Sequence, residues 1–237
     1  MIQSASAYRF RERKKKLPLL RLRPKLHPLW RKRVKKPKRA KKRRLRKLKK
    51  PPTRSEIVLA VFGLGNPASY DGTRHNIGKE AALSLKGKMP LVFKGAFADI
   101  YVRGGKALVE GKIYMNESGL AFKEAVKKLK IPADDVLVIC DDFNMDLGKM
   151  RYRINGSSGG HKGLDSVIEE AGTEKFPRLR LGIGPPVFDF SGARDWVLET
   201  FLSEELAKAE ALRKAAAGFV KSNWGRFWPE ENDSFNV

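Results

Sequence analysis

The sequence predicts an α/β fold: one globular domain with a twisted mixed β-sheet flanked by helices, carrying a basic N-terminal extension. Three observations lead there. From residue 55 onward, buried-strand runs alternate with stretches of helical periodicity, the pattern of an α/β sheet. Glycine and proline punctuate those runs at short intervals. The charge divides sharply: residues 1–50 hold 24 of the 50 Lys and Arg and a single acid, Glu12. The remaining 26 basic residues face 25 acids, so a nearly neutral domain, residues 55–237, follows a polycation, residues 1–54.

Prolines at 18, 24, 28, 37, 51 and 52 interrupt any long helix in the extension, and its like charges repel, so alone in water it should be disordered. It reads as an RNA-binding arm, as an organelle or nuclear address, or as a solubilising tail. "EIVLAVFGLG" reads as a buried strand ending in a glycine turn, and is far too short to span a bilayer. "PLVFKGAFADIYVRGGKALVEGKIYM" holds two or three strands. "SGLAFKEAVKKLKIP" places Phe122, Val126 and Leu129 at helical spacing, with Pro132 beyond its end. "DDVLVIC" is another buried strand, whose Cys140 reads as a small core hydrophobe. "KMRYRI" alternates basic and apolar residues. "GLDSVIEEAG" is a short helix. "PRLRLGIG" sends Leu179, Leu181 and Ile183 to one side and Arg178 and Arg180 to an exposed one. "SEELAKAEALRKAAAGFVKSNW" is an amphipathic helix capped by Ser203, with Leu206, Ala209, Ala216 and Phe219 inward. A lone cysteine allows no intrachain disulfide and fits a reducing interior. No secretory signal is visible.

Polar side chains gather where strands end: Asn66 after "VFGLG", His75 and Asn76 in the turn "GTRHNIG", Asn116 after "GKIYM", Asp141 and Asp142 after "VLVIC", and His161 in "GSSGGHKG". The carboxyl ends of strands are where α/β sheets form sites. A histidine backed by an aspartate can deprotonate water, and asparagine amides can stabilise an oxyanion. Histidines near turns and aspartates after strands also serve as caps. No serine sits in a nucleophile elbow. Three histidines and one cysteine at these spacings match no zinc site, and the Gly-rich "GSSGGHKG" is at most a weak phosphate nest without a P-loop ending. Pattern alone leaves two classes open, a hydrolase and an RNA-binding domain.

The stretches "GLGNPASYDGTRHNIG", "MNESG", "DDFNMDLGKMRYRINGSSGGHKGLDSV", "FPRLRLGIGPP" and "WVLETF" together resemble the bacterial-type peptidyl-tRNA hydrolase family, in its order and spacing, over residues 57–224. The resemblance implies a single, monomeric α/β domain that needs no cofactor. It implies cleavage of the ester joining a peptide to the terminal ribose of tRNA. His75 would be the general base, Asp141 its orienting carboxylate, and Asn66 would place the water and stabilise the oxyanion. Asn116, Asn76, Tyr70 and Lys162 would meet the substrate, and Arg151, Arg153 and Arg180 the tRNA phosphates. An active organellar enzyme and a non-catalytic subunit of a mitochondrial ribosome or splicing complex both fit, residues 1–50 meeting rRNA or the ribosome and the compartment being mitochondrial.

Three departures from the family pattern stand out. The loop from Asn66 to His75 is one residue shorter than usual, with Ala68 where glycine is common. Lys162 replaces the asparagine of "GGHNG", setting a cation beside the site. Asn144 stands where an acid is common.

Overall fold

Runs with hydrophobic residues on both alternating faces must be covered on both sides, and such runs make the centre of this molecule. The computed structural model describes residues 59–185, 192–225 and 228–237. The basic extension, residues 1–54, lies outside them. Strands β1 (Leu59–Gly63), β2 (Leu91–Lys94), β3 (Ala98–Arg103), β4 (Lys106–Gly111), β5 (Val136–Asp142), β6 (Lys149–Arg153), β7 (Arg178–Gly182) and β8 (Asp233–Asn236) form one sheet in the order β2-β3-β4-β1-β5-β7-β6-β8. The four central strands β4, β1, β5 and β7 run parallel. The outer strands pair antiparallel on both sides, giving the mixed sheet expected. Strand β1 lies between β4 and β5, and the chain crosses from β4 past β1 to β5, so a crevice opens beyond the carboxyl ends of these strands.

The helices are α1 (Ile77–Leu83), α2 (Ser118–Leu129), α3 (Lys162–Ala171), α4 (Ala193–Leu198) and α5 (Leu206–Asn223). The period of two along β5 divides the core. Leu137 and Ile139 meet Ile77 and Ala81 of α1 and Ala209, Leu212, Ala216 and Val220 of α5 on one face. Val136, Val138 and Cys140 meet Phe122, Ala125 and Leu129 of α2 and Leu164 and Val167 of α3 on the other. Burial pushes the Cys140 thiol up to about 12, which keeps it an inert core residue.

Two expectations need correction. Arg178 is 1% exposed, not on an open face. Its guanidinium donates to the carbonyls of Glu174, Phe176, Gly156 and Ser157 and lies over the Phe176 ring. The segment after β6 folds over this side of β7, so alternation gave the right side but not its exposure. Burial lowers the Arg178 pKa to about 10. The last long helix starts at Leu206, not at a Ser203 cap, and Leu206 is exposed. Glu205 reaches back to accept the Leu202 N–H at 2.8 Å, and holds this turn in place of a serine hydroxyl.

Candidate active site

Asn66, Tyr70, His75, Asn116, Asp141, His161, Lys162 and Arg180 line one cleft of about 590 Å³ at the carboxyl ends of the central strands. The turn before α1 is tied down from several directions. The Thr73 hydroxyl donates to the Tyr70 carbonyl at 2.8 Å, and the Arg74 N–H to the Glu199 carbonyl at 2.8 Å. The fully buried Arg74 guanidinium lies 3.8 Å from the centre of the Trp196 ring and pairs with Glu205 at 2.6 Å. With its neighbour anchored inward, His75 faces the cleft. Gly78 lets α1 sit against β5: a Cβ there would lie 2.5 Å from the Ile139 carbonyl oxygen. Asp141 stands two residues further along that strand.

The imidazole Nδ1 of His75 lies 2.8 Å from Asp141 Oδ1, and Nε2 of His161 lies 2.9 Å from the same oxygen. Neighbouring bonds assign the tautomers. His161 Nδ1 accepts the N–H groups of Gly163 and Leu164, at 3.1 and 3.2 Å, as the N-cap of α3. It carries no proton, so the His161 proton is on Nε2 and is donated to Asp141. His75 likewise donates from Nδ1, which leaves its Nε2 as a base. Burial pushes the Asp141 carboxyl up, but the two imidazoles outweigh that and hold it well below the usual carboxylate range. The aspartate is therefore an ionised acceptor between two donors.

Asn66 is 5% exposed and is held at three atoms. Its N–H donates to Asn76 Oδ1 at 2.7 Å, its carbonyl accepts from Lys79 Nζ at 2.8 Å, and its side-chain oxygen accepts the Met115 N–H at 2.9 Å. This leaves its NH2 as the donor offered to the cleft. Asn116 is exposed in the cleft wall, just after Met115. Tyr70 and Tyr114 meet edge to face at the mouth, with ring centres 6.2 Å apart. Such a pair offers an apolar surface for a planar group or a side chain.

The remaining expected residues fall in different places. Asn76 is fully buried, its carboxamide spent on the main chain of Asn66 and on Asp71, so it builds the site and does not reach a substrate. Lys162 sits on the rim with its side chain 75% exposed, 3.5 Å from Asp165. As the first residue of α3 it turns outward and does not plug the gap between the histidines and Asn66. Arg180 enters the cleft wall, bonded to Asp142 at 3.3 Å and to the carbonyls of Ser157 and Ser158. Arg151 lies opposite Arg180 in the register of β6 and β7. Burial, then the like charges of Arg151 and Arg180, lower the pKa of Arg153, so the three guanidiniums share one field. The sequence reading named His161 but gave it no task, and it missed Tyr114 and Arg194 in the cleft wall. The glycines around His161 were the available signal.

The donor atoms of His75, Asp141 and His161 lie within 4.8 Å of one another. Two of them are N–H groups directed at the third, so a cation there would have to displace both hydrogen bonds.

A buried carboxylate that fixes an imidazole as a base, with an amide donor nearby, defines a hydrolytic site in the crevice of an α/β sheet. Residues 60–234 match the family model for peptidyl-tRNA hydrolase, and the chain belongs to that family. It is 45% identical over 165 residues to the peptidyl-tRNA hydrolase of Methylacidiphilum infernorum, a match covering 68% of this chain and 88% of the relative. It is 43% identical over 175 residues to that of Aquifex aeolicus, covering 70% and 90%. The crystal structure of peptidyl-tRNA hydrolase from Acinetobacter baumannii superposes with a TM-score of 0.62 at 28% identity, covering 70% of this chain and 88% of that one.

Proposed function

We propose that this chain hydrolyses the ester between a peptide and the terminal ribose of tRNA. The observation that carries the reading is the shared Asp141 oxygen, which leaves His75 Nε2 basic at the cleft wall while Asn66 turns an amide toward the same space. His75 Nε2 takes a proton from water as the water attacks the ester carbonyl. Asp141 offsets the charge that forms on the ring. The Asn66 NH2 donates to the developing oxyanion. The ribose oxygen then leaves with the proton that His75 returns to it. Asn116 holds the peptide main chain, and Tyr70 and Tyr114 bracket the entrance. Arg151, Arg153 and Arg180 meet tRNA phosphate, for which guanidinium forks are suited.

The test is peptide release from peptidyl-tRNA. His75→Ala should lower kcat by about 100- to 10,000-fold while the substrate still binds. Full activity in that variant would refute the reading. The intact His75–Asp141 pair and the outward Lys162 weigh against a purely structural role.

The 24 basic residues within positions 1–50 support a second part of the proposal, attachment to ribosomal or other RNA. Each neutralised phosphate releases counterions, so affinity carried by this arm falls steeply with salt. Removing residues 1–50 should flatten the salt dependence of RNA binding and leave hydrolysis of a minimal ester unchanged. A slope that persists would place the RNA contact elsewhere.

A further inference from the structure

Lys79 is a buried ammonium that the reaction above does not use. It is 6% exposed, on the first turn of α1, and its Nζ donates to the Asn66 carbonyl at 2.8 Å. That carbonyl already has a neutral donor, Asn76 Nδ2 at 3.3 Å. The second lone pair of the carbonyl needs a donor but not a charged one, and burying the lysine's charge is costly. Its ion partner, Asp71, is 3.6 Å away with a side chain 57% exposed, so water screens the neutralising charge more than the lysine's own. The fold also makes room for the stem. A Cβ on Gly65 would lie 2.6 Å from Lys79 Cβ and 2.9 Å from its Cδ. The glycine turn after β1 thus lets a cation reach the back of the residue whose front meets the substrate.

We propose that Lys79 is a positioning residue for Asn66, its buried ammonium fixing the Asn66 main chain so that the side-chain amide meets the oxyanion, and adding positive charge behind that amide. The inference rests on the hydrolytic reading given above. Charge in a wall from which water is excluded acts at higher strength than in solvent, and it favours the state in which negative charge develops on the ester oxygen. The effect belongs to the transition state and not to substrate binding, so it falls on kcat.

The full-length chain with Lys79→Met, an unbranched side chain of similar length without charge, tests this. Against peptidyl-tRNA, kcat should fall about tenfold or more with KM within about twofold. In an Asn66→Ala background the same change should cost less than it does in the wild type, since the positioning part acts through the missing amide and only the charge part remains. Unchanged kcat, a loss confined to KM, or losses that multiply would each overturn the proposal. A readout independent of turnover keeps it separate from the hydrolytic reading. The Met115 N–H donates to the Asn66 side chain, so its hydrogen exchange reports the seating of that amide. Lys79→Met should speed that exchange by about tenfold or more. Unchanged exchange refutes the positioning role, even if the wild type proved inactive on this ester. Lys79→Gln is read in the same way if the methionine variant fails to fold.

Discussion

The turn at residues 72–78 and the segment at 156–163 each deliver a histidine to Asp141 Oδ1, and the two present opposite ring nitrogens to it. In the turn, His75 spends Nδ1 on the carboxylate and keeps Nε2 for the cleft. In the loop, His161 spends Nε2 on the carboxylate and Nδ1 on the first amides of α3. One imidazole ends as a base, and the other as a brace with no basic site left. Residue type and partner are identical. What separates them is a pair of backbone N–H groups, which claim Nδ1 of His161 and settle its tautomer, while the ionised Asp141 settles that of His75. A carboxylate oxygen held by two N–H donors also cannot rotate freely, so the brace fixes the direction along which the base is pulled.

The contrast can be broken or sharpened by substitution. Asp141→Asn should have the larger effect. Its amide cannot offset imidazolium charge, and it no longer imposes the Nδ1–H tautomer. A loss of about a thousandfold or more in kcat is expected, measured as peptide release from peptidyl-tRNA. His161→Asn should have the smaller one. Asparagine can keep the cap of α3, but the buried Asp141 carboxylate loses one donor, so stability should fall by about 1–3 kcal/mol. The bond to Asp141 is lost, and kcat should drop by about three- to tenfold. Equal losses from His75→Ala and His161→Asn would abolish the distinction between base and brace.

The strands were legible because both-sided burial leaves continuous apolar runs, as in β1 and β5, and because alternation marks β6 and β7. Other elements left weaker traces. Helix α1 has seven residues, follows a 3-10 turn directly and lacks a side-chain cap, so no start signal precedes it. Strand β8 is short and mostly exposed, without an apolar face to give it a period. Residue type and position at strand ends marked His75, Asp141 and Asn66 only among several polar neighbours; the resemblance to the family singled them out, and the structure brings them to one cleft. Asn76 was misjudged because neighbours in a tight turn point in different directions, and a motif does not record which side faces the core. Arg178 was misjudged for a related reason. Alternation tells which side of a strand a residue lies on, but whether a distant segment covers that side is a tertiary fact.

The close approach of Gly78 to Ile139 has a further consequence. Main chain rests on main chain there, so the spacing of base and carboxylate is inherited from how one short helix seats on one strand. Eight paired strands can outlast the loosening of those seven residues, but the hydrogen bond from His75 cannot. Activity is therefore expected to be more fragile than the fold: on mild heating, peptide release should fall before the strand signal in circular dichroism does, and should return on cooling.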